Sequence, residues 1–114
     1  MTTASAPTKE KRAAIVWLDR SHAFIATGRE GRRQVTEVDR ELDRESDYLL
    51  RVIRAASDCD RLMVMGPDGP RLAFEREYVA LYRRPDRLID NGLEMAPEPR
   101  QLVDRLRFVE SSMP

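Results

Sequence analysis

The rhythm of apolar and polar positions divides this chain into short, alternating elements. Ala13 to Leu18 (AAIVWL) is apolar at every position. It is too short for a helix and rich in β-branched and aromatic residues, which predicts a strand buried on both faces. Asp19-Arg20-Ser21 reads as a tight turn, and His22 to Thr27 (HAFIAT) as a returning strand that completes a hairpin. Gly28 to Gly31 (GREG) is the next turn. Gln34 to Asp39 (QVTEVD) is polar and suits the edge of a sheet better than its centre.

The period then lengthens. After a charged connection from Arg40 to Asp47, the residues Tyr48, Leu49, Val52, Ile53 and Ala56 recur at helical spacing, with Ser46 as the candidate N-cap. Arg61 to Met65 (RLMVM) is a second apolar run, read as a central strand. It stops at Gly66-Pro67-Asp68-Gly69-Pro70-Arg71. A strand that hands the chain to a helix N-terminus is a place where α/β proteins often put a binding surface. The helix it predicts runs from Pro70 to about Arg83, with Leu72, Phe74, Tyr78, Val79, Leu81 and Tyr82 turned inward. Pro70 fits the first helical turn and Pro85 stops the helix. Arg87 to Asp90 is a short strand before the Asn91-Gly92 turn signal. Pro97 and Pro99 open a last helix with Leu102, Val103, Leu106 and Val109 on one face.

The order β-β-β-α-β-α-β-α places antiparallel hairpins first and strand–helix alternation after them, which favours parallel pairing. The expectation is an α/β fold: a single domain with a mixed five-stranded sheet packed with three helices. Residues 13–110 make up the domain, 1–12 a flexible N-terminal tail and 111–114 a frayed C-terminus.

Composition narrows the function classes. A chain of 114 residues that is 41% hydrophobic is long and apolar enough to bury one core unaided. A single cysteine, Cys59, excludes an intrachain disulfide. No apolar run approaches the ~20 residues of a membrane span, and the N-terminus lacks the apolar centre of a signal peptide. A cytoplasmic protein without membrane contact is expected. Twenty basic and twenty acidic residues cancel, whereas nucleic-acid binders more often carry a net basic field. The charge is unevenly spread: residues 1–40 hold +3 and residues 41–114 hold −3. Eighteen of the twenty basic residues are Arg, whose planar fork suits phosphate and carboxylate alike.

Two arginine clusters are the candidate RNA- or anion-binding residues. Arg29, Arg32 and Arg33 stand at the turn between the second and third strands, and Arg83, Arg84 and Arg87 follow the second long helix. If they share a face they can grip phosphates. Each cluster has acidic neighbours, and Trp17, Phe24 and Phe74 read as buried rather than free to stack on bases, so a solvated charged surface accounts for them more simply. The Gly66–Arg71 turn offers backbone N–H groups and Arg71 to an anion, but Asp68 puts a negative charge in the same place. It lacks the Gly-Lys-Ser/Thr of a phosphate-cradling loop, and a structural turn is the simpler reading.

Asp19 ends the first strand, where a carboxylate can bind metal. Glu45, Asp90 and Glu94 show no metal-ligand spacing around it, and a turn-forming Asp explains it better. His22 and Cys59 make neither a zinc site nor a nucleophile–base pair. No metal, cofactor or catalytic constellation is expected.

The order of elements resembles the middle domain of the class-one release factors of eukaryotes and archaea and of the related Pelota-like proteins. A closer likeness is to a group of short bacterial proteins usually labelled translational machinery proteins. It is carried by Val16-Trp17-Leu18-Asp19, by Tyr48-Leu49, and by Met63-Val64-Met65-Gly66-Pro67 followed by Asp68-Gly69-Pro70-Arg71. Leu88-Ile89-Asp90, a polar turn and Gln101 to Phe108 close the pattern. The motif-turn residues Asp19, Gly66, Pro67 and Gly69 come from this match. The release-factor domain carries a Gly-Gly-Gln loop that reaches peptidyl-tRNA. This chain has no Gly-Gly-Gln, and its Arg40–Glu45 connection has neither Gly nor Gln. The short bacterial proteins are His-rich in that region, and this chain has one His in all.

The resemblance implies a non-catalytic accessory protein of the translation machinery, docking on the ribosome, on RNA or on a protein partner. The alternatives are a hydrolase acting on peptidyl-tRNA or RNA, with Asp19 first to test, and a self-associating homodimer that pairs through the polar third strand.

Overall fold

The computed structural model describes residues 12–29, 32–56, 59–92 and 95–113. Five strands form one mixed sheet: β1 (Ala13–Leu18), β2 (His22–Arg29), β3 (Arg32–Asp39), β4 (Arg61–Met65) and β5 (Leu88–Asn91). Three helices cover it: α1 (Glu45–Ala56), α2 (Asp68–Tyr82) and α3 (Pro99–Ser111). The strand order is β3-β2-β1-β4-β5. β1 pairs antiparallel with β2 and parallel with β4. β3 closes one edge antiparallel to β2, and β5 closes the other parallel to β4.

The all-apolar β1 lies in the middle and is buried at every position. Ala14, Val16 and Leu18 face one side with Ala23, Ile25, Leu62 and Val64. Tyr48, Leu49, Val52, Ile53 and Ala56 of α1 and Phe74 and Tyr78 of α2 close that side, over Cys59. Ala13, Ile15 and Trp17 face the other side, where Leu102, Leu106 and Val109 of α3 pack with Ala26, Met63 and Met65. Two helices therefore cover one face and a single helix covers the other. The alternation in β1 is hidden because both faces need apolar residues.

Several expectations shift. The β2–β3 hairpin is longer than the pattern suggested: Arg29 pairs with Arg32 and Gly28 with Arg33, so Arg32 and Arg33 belong to a strand. The polar β3 is an edge strand, as expected, and exposes most of its residues. β4 stands next to the centre rather than in it. Ser46 is not the N-cap of α1, which already begins at Glu45.

α2 begins at Asp68 and turns a different stripe inward than expected. Pro70, Arg71, Phe74 and Tyr78 are buried, whereas Leu72 and Leu81 are 40% and 53% exposed. Helical spacing from Phe74 and Tyr78 runs back to Arg71, so burying those two rings rotates Leu72 outward. α3 starts with a capping box in which Glu98 and Gln101 satisfy each other's backbone N–H groups. At its other end the Ser111 and Ser112 hydroxyls donate to the carbonyls of Phe108 and Val109, and Met113 packs on the α3 core. The expected N-terminal tail lies outside the described residues except for Arg12. No helix is long and apolar enough to cross a membrane among the described residues.

Candidate nucleic-acid interface

β1, β4 and β5 run in the same direction, so the domain has two unlike ends. Asp19, the Gly66–Gly69 turn and Asp90 gather where these strands finish. Gly66 has φ +126°, and a Cβ there would lie 2.1 Å from the Leu18 carbonyl oxygen. The glycine is required by close approach to β1 as well as by its backbone. Pro67 takes the N-cap position of α2, and its carbonyl accepts the Arg71 N–H at 3.1 Å.

Asp19 is a turn residue. Its Oδ1 accepts from the Ser21 N–H (2.8 Å), the His22 N–H (2.9 Å) and the Ser21 hydroxyl (3.0 Å). Burial opposes its ionisation, but these donors outweigh burial and hold the carboxyl below its ordinary range. The Tyr48 hydroxyl donates to the Asp19 carbonyl at 3.0 Å and ties α1 to the same turn. His22 packs tilted against Trp17 and edge-on against Phe24. Among the described residues no three His, Cys, Asp or Glu side chains converge as metal ligands. Glu94 lies outside them.

Arg71 is not available to an outside anion. It is 6% exposed, and its guanidinium lies among a backbone carbonyl and acidic side chains. Nη1 donates to the Gly66 carbonyl at 2.7 Å, Nη2 meets Asp68 at 3.0 Å, and Nε meets Asp90 at 2.6 Å. Glu75 stands 3.9 Å from Nε and hydrogen-bonds Asp90. Burial, then the Asp90 carboxylate, pushes the Glu75 carboxyl up to about 7, so below that pH it carries a proton to share with Asp90. That donation, with Arg71 beside it, lowers Asp90. The network pins the short edge strand β5 to α2 and to the end of β4. The spacing of Asp68, Arg71 and Glu75 on one helix stripe is the signal that sequence reading passed over.

The opposite end is basic. The β2–β3 hairpin carries Arg29, Arg32 and Arg33 to the level at which β1 and β4 begin, beside Arg12 and Arg61. α2 returns to this end and leaves Arg83, Arg84 and Arg87 at the start of β5. The two clusters that the sequence separates by fifty residues thus share one end of the sheet, at opposite edges. Four strand spacings separate those edges, roughly 19 Å.

Some of these arginines are committed. Arg33 donates through Nε (3.1 Å) and Nη2 (2.7 Å) to Glu110 of α3. Gly28 leaves room for that carboxylate, since a Cβ there would lie 2.5 Å from it. Arg84 grips Asp86 with two hydrogen bonds of 3.0 and 2.8 Å, which bring the Asp86 carboxyl down to about 2. Arg87 acts on the Tyr78 phenol. Arg32 and Arg83 are exposed and have no ion-pair partner among the described residues. Helix dipoles account for part of the polarity. All three helices finish at the basic end, and Glu45, Asp47, Asp68 and Glu98 stand at their starts.

No protein-family profile matches the sequence, and neither does any curated protein. Solved structures do match. Archaeoglobus fulgidus Pelota superposes with a TM-score of 0.64 at 13% identity, over 90% of this chain and 33% of Pelota. The archaeal translation termination factor aRF1 gives 0.58 at 14% identity, over 92% of this chain and 36% of aRF1. Saccharomyces cerevisiae Dom34, a translation termination-like factor involved in RNA quality control, gives 0.58 at 7% identity, over 85% of this chain and 32% of Dom34. This chain spans about a third of each, and at these identities the likeness is one of fold: the five-stranded mixed sheet with three helices is that of a domain of Pelota and of aRF1.

Proposed function

We propose that this chain is a non-catalytic accessory protein of the translation machinery that docks on structured RNA through the basic end of its sheet. The observation that carries the reading is the placement of Arg29, Arg32 and Arg33 and of Arg83, Arg84 and Arg87 at the same end of the sheet, on its two edges. Duplex nucleic acid carries a charge per about 1.7 Å of axis, so a span of this size faces several phosphates. The fold likeness to translation termination-like factors supports the machinery rather than RNA at large.

A hydrolase acting on peptidyl-tRNA or RNA has less support, since the Asp19 carboxylate is already engaged by three donors of its own turn. Titration with a labelled structured RNA across salt concentrations tests the docking reading. Binding should weaken linearly in log–log form as salt rises. Arg29→Glu, Arg32→Glu and Arg83→Glu combined should lower the slope by about 2–3. These three leave the Arg33–Glu110 and Arg84–Asp86 pairs intact. An unchanged slope, or binding insensitive to salt, would overturn the assignment.

A further inference from the structure

We infer that a second copy of this chain docks on the outer face of α3, forming a twofold dimer with the two helices antiparallel. The inward side of α3 is spent on Leu102, Leu106 and Val109. Its outer side carries one stripe at helical spacing: Gln101, Asp104, Arg105 and Phe108, all exposed. A groove of about 680 Å³ runs beside it, lined by these residues and by Met95, Ala96 and Pro97 of the segment leading into the helix. Phe108 is 69% and Met95 81% exposed, which makes the groove an apolar floor with polar sides.

The stripe is complementary to itself. In a twofold interface the same patch serves both partners, so residue i meets j and j meets i. Laid antiparallel about a point between Asp104 and Arg105, the stripe sets each Asp104 against the other copy's Arg105. It also sets each Phe108 against the other copy's Gln101, where the Met95–Pro97 wall can receive the ring. Asp104 and Arg105 have no ion-pair partner among the described residues. The lopsided layering agrees, because this is the sheet face that holds one helix against two on the other. A single helix pair gives a small interface, and the dimer is accordingly a weak one.

Because the helices are antiparallel, the two basic ends point to opposite poles of the dimer and stay open.

Sedimentation equilibrium from low micromolar to several hundred micromolar protein tests this. The mass should rise from monomer toward dimer across that range. Phe108→Glu should hold the chain monomeric throughout, with an unchanged thermal melt because the side chain is outside the core. Asp104→Arg alone should do the same by setting positive charge against positive charge. Asp104→Arg combined with Arg105→Asp should restore the wild-type association, since the swapped stripe is again self-complementary. A wild-type chain that stays monomeric at every concentration would overturn the inference. So would a dimer indifferent to Phe108→Glu and Asp104→Arg, which would point to another surface such as the edge strand β3.

Discussion

Gly66→Ala should destabilise the domain by about 3–5 kcal/mol, the largest loss expected of any single methyl addition here. Two effects add. The backbone at Gly66 has φ +126°, a region that L-residues adopt at a cost of roughly 1–3 kcal/mol. The added Cβ would also lie 2.1 Å from the Leu18 carbonyl oxygen, well inside contact distance. That oxygen is main chain of the central strand, so it cannot swing aside as a side chain would. Relief requires β1 and the start of α2 to part. For a domain of this size the melting temperature should fall by roughly 15 °C or more. A fall of under ~5 °C would mean that the turn is slack and does not set the spacing between β1 and α2.

Arg71→Met should cost about 2–4 kcal/mol while keeping much of the side chain's apolar volume. The loss comes from what remains. The Gly66 carbonyl loses its buried donor, and Asp90 and Glu75 face each other without the guanidinium between them. β5 is only four residues long and is held on one side only, so it should loosen first. Rapid amide exchange confined to β5 is the expected signature in hydrogen-exchange measurements.

The same network predicts a pH dependence of stability. Glu75 in the folded chain is raised to about 7 from an ordinary 4.5, so the folded state binds a proton that the unfolded state releases earlier. Stability therefore falls as pH rises from about 4.5 to about 7, and then levels off. The contribution is on the order of 1–2 kcal/mol after discounting for partial exposure. Glu75→Gln keeps a donor toward Asp90 without the titration. It should abolish that fall and leave the chain more stable than wild type at pH 7.5. A wild-type profile that rises over this interval would contradict the protonated state of Glu75.

Much of the fold was legible because its strongest signals are one-dimensional. The unbroken apolar run of β1, the stripe of Tyr48 to Ala56 and the Gly66-Pro67 stop each follow from local chemistry, and together they order the elements. The errors lie where tertiary contacts override pattern. Leu72 and Leu81 are as apolar as Phe74, yet the two aromatic rings decide which side of α2 turns inward, and Arg71 falls on that side. An arginine reads as a surface residue until its carboxylate partners are known, and Asp90 comes from a strand nineteen residues away.

The candidate interface was legible in its parts and not in its assembly. The arginine runs are visible in sequence, but only the strand order brings the β2–β3 hairpin and the start of β5 to one end. Which arginines are already paired depends on Glu110 and Asp86, and the first of these lies 77 residues from its partner.

Docking on the translation machinery through the basic end is tested most directly by co-sedimentation with ribosomes on sucrose gradients at low and high salt. The wild-type chain should travel with a ribosomal subunit at low salt and return to the top of the gradient at high salt, because phosphate contacts weaken as salt rises. The chain carrying Arg29→Glu, Arg32→Glu and Arg83→Glu should stay at the top in both. A wild-type chain that remains at the top at low salt, or a triple variant that still travels with the subunit, would contradict it.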